Sequence, residues 1–144
     1  MTTDTLAGPD ADGGEHGPGD AATGLTCLVV DDSRVVRRVA RRILESCGMQ
    51  VEEAEHGGIA LELCRARLPD SVLLDWNMPV MNGIEFLRAL RAEFGPDKPV
   101  VVFCTTENEI GFIEAAIEAG AQEYMMKPFD ETILRGKLEQ VGLL

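Results

Sequence analysis

The chain has 144 residues, 45% of them hydrophobic and 26% charged, which suits one domain with its own core. Its net charge of −12, from 13 Lys plus Arg against 25 Asp plus Glu, opposes binding to nucleic-acid phosphates. No run approaches the roughly 18 apolar residues of a membrane span, and no basic-then-apolar leader opens the sequence. A cytoplasmic protein with neither nucleic-acid nor membrane partners is therefore expected.

Residues 1–24 are rich in Gly, Ala and Asp, with one Leu and no Lys or Arg. Such a segment cannot bury enough surface to offset its chain entropy, so it is expected to be a disordered acidic tail ahead of one domain over 25–144. From Leu25 onward strand and helix patterns alternate. Thr26–Val30 is a short apolar run that ends at Asp31-Asp32, and Ser33 then reads as the N-cap of a helix reaching about Ser46, with Gly48 as its stop. Val35, Val36, Val39, Ile43 and Leu44 are expected on its buried side. Arg34, Arg37, Arg38, Arg41 and Arg42 recur at three- and four-residue intervals and form a basic stripe.

Met49–Ala54 reads as the second strand, and Ile59–Arg67 as a helix with Ile59, Leu61, Leu63 and Leu68 on or near its apolar side. The third pair is Val72–Asp75 and Ile84–Glu93. The fourth is Val100–Cys104, a continuous apolar run of the kind buried on both faces, followed by Ile110–Ala119, which closes at Gly120. Glu123–Met126 and Glu131–Val141 complete the series, and no output domain is expected. Four cysteines, Cys27, Cys47, Cys64 and Cys104, form no CxxC or Cys/His cluster, so buried thiols are expected rather than a zinc site.

Five strand-then-helix units imply an α/β fold with a doubly wound parallel sheet and five helices, because parallel neighbours need crossover connections. Functional groups in such sheets gather at the carboxyl ends of the strands. There the first strand delivers Asp31 and Asp32, the third Asp75, the fourth Thr105 and the fifth Lys127-Pro128. Three carboxylates in one cleft cannot all stay ionised without a compensating cation. Hard oxygen donors in an open site suit Mg²⁺, and Lys127 adds a fixed positive charge. Carboxylates, a cation, a lysine and a hydroxyl are parts for handling a phosphoryl group.

The motifs LVVDDS, LLDWNMPVMNG, VVFCT and YMMKPF, in this order and spacing, resemble the CheY-like receiver domains of two-component response regulators. The resemblance runs from about Leu25 to the C-terminus. It implies a flavodoxin-like sheet of order 2-1-3-4-5. It further implies that Asp75 is the phosphoacceptor, taking its phosphoryl group from a sensor histidine kinase or a histidine phosphotransfer protein. Asp32, Asp75 and the Asn77 backbone carbonyl would hold Mg²⁺, with Asp31 acting through water. Thr105 and Lys127 would bind the phosphoryl oxygens, Tyr124 would turn inward as Thr105 moves, and the Lys127–Pro128 peptide would be cis.

By the same resemblance Asn77 and Glu107 would tune the lifetime of the phosphoryl group and favour rapid self-dephosphorylation. Thr106 departs from the small residue usual at its position and could narrow access to Asp75. Arg34, Arg38 and Arg41 offer a docking face for the phosphodonor. Helix four, strand five and helix five would form the output surface. The segment Glu107-Asn108-Glu109 lacks the basic residues of motor-binding members, which favours a phosphorelay partner over a flagellar motor switch. Two rivals are disfavoured: an aspartyl-phosphate phosphohydrolase, which wants a DxD on the first strand, and a flavodoxin-like cofactor binder, whose cofactor phosphate Asp31-Asp32 would repel.

Overall fold

A computed structural model describes residues 23–144. The tail expected over residues 1–24 lies outside the described residues except for Thr23 and Gly24. Thr23 joins the fold: its hydroxyl and amide both donate to the Gly48 carbonyl, at 3.2 and 3.0 Å.

Five strands, β1 (Thr26–Val30), β2 (Gln50–Ala54), β3 (Ser71–Asp75), β4 (Val100–Thr105) and β5 (Glu123–Met126), pair in parallel in the order β2-β1-β3-β4-β5. The crossovers are α1 (Arg34–Ser46), α2 (Gly57–Ala66), α3 (Gly83–Phe94) and α4 (Ile113–Ala119), and α5 (Glu131–Gln140) follows the last strand. This is the doubly wound parallel sheet that the alternating pattern predicts, in the strand order that the family resemblance implies. Successive strand residues point to opposite faces, which divides the core in two. Leu28, Val30, Leu74 and Phe103 pack against Leu61, Phe86, Leu87, Leu90 and Ala116 of α2, α3 and α4. Val29, Leu73, Val102 and Met125 pack against Ala40, Leu44, Leu134 and Leu138 of α1 and α5. All four cysteines are free and buried. Burial raises the Cys27 and Cys64 thiols to about 11 and the Cys104 thiol to about 12, so none is a thiolate at neutral pH.

Local chemistry sets the helix starts. The Ser33 hydroxyl accepts from the Val36 amide at 3.2 Å, and Asn82 with Glu85 closes a reciprocal capping box at 2.9 Å on each side. α2 starts two residues earlier than expected because the His56 Nδ1 accepts from the Gly58 and Ile59 amides.

Three expectations need correction. Val35 and Val39 are not on the buried side of α1: they are 72% and 40% exposed, and the core contacts come from Ala40, Ile43 and Leu44. Leu68 lies beyond α2 and is exposed. The helix expected over Ile110–Ala119 is split into a 3-10 segment, Glu107–Phe112, which buries no residue, and the short α4, which buries Ala116 alone. With one small buried side chain, this segment lacks the packing that selects a full α-helix.

Candidate functional site

Register carries the chemistry to one edge of the sheet. Val30 is level with Leu74, Asp75 with Cys104, and Thr105 with Met126, so the residues that follow or end β1, β3, β4 and β5 emerge side by side. Asp31, Asp32 and Asp75 present carboxylate oxygens within 4.8 Å of one another. Asp31, Asp75 and Thr105 are buried, Asp32 is exposed, and Lys127 reaches in from the turn after β5. The Lys127 ammonium donates to Asp31 Oδ2 at 2.9 Å and to Asp75 Oδ1 at 2.8 Å. Lys127–Pro128 is cis, as the family resemblance implies, and Lys98–Pro99 is cis as well.

Burial is the largest influence on Asp75, with the charges of Asp31 and Asp32 adding to it. Together they outweigh the Lys127 hydrogen bond and raise its carboxyl to about 6. Burial works to lower the Lys127 ammonium, yet its bonds to Asp75 and Asp31 prevail and the net shift is upward. Three carboxylates against one ammonium leave an uncompensated negative charge. Asp32 makes no side-chain hydrogen bond or ion pair among the described residues. The donor set is therefore all oxygen, acidic and incompletely neutralised, which fits a hard divalent cation with water in its shell.

The turn after β3 shapes the same edge. Trp76 accepts from the Gly83 amide at 2.9 Å, and any side chain at Gly83 would collide with the Asp75 carbonyl, so this return to α3 requires glycine. Val80, at the tip, has φ of 69° and is 82% exposed, a left-handed conformation that a β-branched side chain resists. Asn77 and Glu107 are exposed at the rim, and Thr106 is half-buried beside Thr105. Among the described residues the Thr105 hydroxyl donates only to the carbonyl of Thr106, at 3.3 Å. Tyr124 lies on the outer side of β5, 36% exposed, with the Lys137 ammonium 4.8 Å from its ring centre.

The basic stripe on α1 divides. Arg37 and Arg41 both pair with Glu53 of β2, at 2.9 and 2.6 Å, while Arg34, Arg38 and Arg42 stay exposed beside Val35 and Val39. Arg41 is thus held by the fold and is a weaker candidate for docking than its spacing implies. Two contacts near the site carry no local sequence pattern. The Phe112 ring stacks on Trp76 with centroids 3.9 Å apart, and the Arg37 guanidinium donates to the Asp31 carbonyl at 2.7 Å. An aromatic after a strand and an arginine one turn into a helix were the available hints, and neither names its partner.

Two buried aspartates bridged by a lysine, with a third, exposed aspartate beside them at the edge of this sheet, are the site that the comparisons place in a family. A profile described as the response regulator receiver domain matches residues 27–139, and the chain belongs to that family. It is 40% identical over 119 residues to a chemotaxis protein CheY homolog of Campylobacter jejuni, covering 81% of this chain and 92% of that protein. The chemotaxis protein CheY1 of Helicobacter pylori is also 40% identical, over 81% of this chain and 96% of its own length. Among solved structures, the chemotaxis response regulator CheY4 of Vibrio cholerae superposes with a TM-score of 0.76 at 32% identity, over 83% of this chain and 99% of that one. The receiver domain of NtrX from Brucella abortus does so with a TM-score of 0.74 at 27% identity, over 80% and 96%.

The chain is therefore a CheY-like receiver domain of two-component signalling over most of its length. Its acidic pocket, of the kind receivers use for Mg²⁺, marks a phosphoacceptor signalling protein with a histidine kinase partner rather than an enzyme of metabolism. No helix among the described residues is long and apolar enough to cross a membrane.

Proposed function

We propose that this protein is a stand-alone cytoplasmic response regulator in which Asp75 accepts a phosphoryl group from a phosphohistidine of a sensor kinase or phosphotransfer protein. The observation that carries this reading is the Lys127 ammonium bridging Asp31 and Asp75, with Asp32 beside them and unpaired among the described residues. In the transfer, an Asp75 oxygen attacks phosphorus in line and the P–N bond breaks. The histidine nitrogen leaves with the bonding pair and takes a proton. Lys127 follows the incoming charge onto the phosphoryl oxygens, and the Thr105 hydroxyl, held only by its weak bond to Thr106, turns to donate to them. Asp31, Asp32, Asp75 and the Asn77 carbonyl would hold Mg²⁺, which when bound neutralises charge shared by the carboxylates and the phosphoryl group.

Movement of Thr105 leaves room that the Tyr124 ring can enter, so phosphorylation biases an existing two-state equilibrium of the α4–β5–α5 surface. That surface offers Ile117, Tyr124 and Ile133 among Glu114, Glu118 and Glu123, an acidic character that suits another signalling protein better than a flagellar motor switch. Exposed Asn77 and Glu107 flank the acyl phosphate and speed its self-hydrolysis, while Thr106 narrows the approach. Arg34 and Arg38, beside the groove lined by Val35, Val39 and Phe129, form the docking face for the phosphodonor, with Arg41 at its inner margin.

The deciding experiment is a titration of Trp76 fluorescence with Mg²⁺ and beryllofluoride in the wild type and in Asp75→Ala. Trp76 is the only tryptophan, so the signal is unmixed. A two-step change in the wild type that loses its beryllofluoride step in the variant is expected. No Mg²⁺-dependent change in the wild type would overturn the reading.

A further inference from the structure

We propose that Arg37 is a positioning residue for the cation site: it holds the peptide between Asp31 and Asp32 so that the Asp32 carboxylate faces Asp75. This rests on the reading of Asp31, Asp32 and Asp75 as a Mg²⁺ site and adds a residue that none of its ligands includes.

Asp31 is tied on every side. Its amide donates to the Ala54 carbonyl at 3.1 Å, its carboxylate accepts from the Ser33 amide and from Lys127, each at 2.9 Å, and its carbonyl accepts from Arg37 Nη1 at 2.7 Å. Asp32 is the reverse, exposed and without a side-chain partner among the described residues. Nothing that touches the Asp32 carboxylate sets its direction. The plane of the Asp31–Asp32 peptide sets where the Asp32 Cα–Cβ bond points, and so which rotamers bring its carboxylate to Asp75. The Arg37 hydrogen bond to the Asp31 carbonyl fixes the plane.

Arg37 is itself well held. Its side chain is 13% exposed, and its Nε donates to Glu53 at 2.9 Å, one residue before the Ala54 that accepts from Asp31. The chain thus forms a closed circuit from Asp31 through Arg37 and Glu53 to Ala54 and back to Asp31. The rigid guanidinium fork serves two acceptors at once, which an ammonium cannot do in the same geometry. The Arg41 hydrogen bond, with that of Arg37 adding to it, holds the Glu53 carboxyl below its usual range, so the far end of the circuit stays ionised.

The sign of one measurement separates this role from plain electrostatics. A positive charge near a cation site weakens cation binding, so removing it for its charge alone would tighten Mg²⁺. Removing a positioning residue loosens Mg²⁺, by about tenfold or more when an outer-shell partner is lost. The experiment is calorimetric and Trp76-fluorescence titration of Mg²⁺ into the full chain as wild type, Arg37→Met, Arg37→Lys and Arg41→Met. Arg41→Met removes the other Glu53 partner but leaves the Asp31 carbonyl bond intact.

Arg37→Met is expected to weaken Mg²⁺ about tenfold, Arg37→Lys to fall between it and the wild type, and Arg41→Met to stay within about twofold. Hydrogen exchange in EDTA supplies a cation-independent readout, with the Asp31 and Ser33 amides exchanging faster in Arg37→Met than in Arg41→Met. Unchanged or tighter Mg²⁺ binding in Arg37→Met overturns the inference, as does equal weakening in Arg41→Met. If Arg37→Met does not fold, wild-type affinity in Arg37→Lys overturns it. A wild type that binds no Mg²⁺ defeats the site reading itself, whereas a wild type that binds beside an undisturbed Arg37→Met defeats the inference alone.

Discussion

On the β1–β3 side of the site, Asp31 is bonded through its amide, its carbonyl and both carboxylate oxygens, and Gly83 locks the exit from Asp75. On the β4 side, Thr105 spends its hydroxyl on the neighbouring carbonyl at 3.3 Å, and the chain continues into a 3-10 segment that buries no residue. α3, packed behind the first side, buries five residues, whereas α4 buries one. One wall is fixed and the other is loosely held. The division suits a switch: charge must be placed accurately before reaction, and the part that reports the reaction must be cheap to rearrange.

Breaking the fixed wall should have the largest effect. Lys127→Ala leaves Asp31 and Asp75 facing each other without their shared ammonium and should lower stability by about 3 kcal/mol in EDTA at neutral pH. Urea unfolding with and without Mg²⁺ reads this, and the deficit should shrink with the cation present.

Asp75 sharpens the same point through pH. Its carboxyl is raised in the folded protein to about 6 from the usual 3.8. Its contribution to stability is therefore fully present below pH 3.8 and is lost as pH rises through 6. Asp75→Asn should be more stable than the wild type at pH 7 by about 2 kcal/mol. The difference should vanish in unfolding curves taken near pH 4.

On the loose wall the expected losses are smaller. Phe112→Ala removes the stack on Trp76 and should cost about 1 kcal/mol. It should also shift Trp76 emission and speed amide exchange over Glu107–Phe112 while leaving α3 unchanged; equal acceleration in α3 would erase the contrast between the walls. The smallest effect concerns a strained point in the fixed wall. Val80→Gly or Val80→Asn should stabilise by up to about 1 kcal/mol in thermal unfolding, because either residue accepts the left-handed conformation more readily.

Much of this was legible in the chain itself. Runs such as Leu28-Val29-Val30 and Val101-Val102-Phe103 are apolar at every position because both faces of a parallel strand are covered. Ser33 marks a helix start because its side chain accepts an amide that a first turn leaves unpaired. Asp31, Asp75, Thr105 and Lys127 stood out because strand-end polar residues converge wherever strands run parallel. Spacing along α1 gathered five arginines into one stripe, which the fold divided, and misjudged which neighbours lay beneath it. Periodicity names the faces of a helix, not the one a sheet will cover, and so Val35 and Val39 emerged exposed.

By itself, then, the sequence determined the strand and helix order, the parallel sheet and the carboxylates, hydroxyl and ammonium at its edge, since these follow from local pattern and chain connectivity. Only the tertiary structure decided that Arg37 and Arg41 turn to Glu53 while Arg34 and Arg38 face outward, that Phe112 covers Trp76, and that the segment before α4 forms a 3-10 turn. Each of those depends on distances between residues far apart in the chain, and such distances exist only once the sheet has brought its strand ends together.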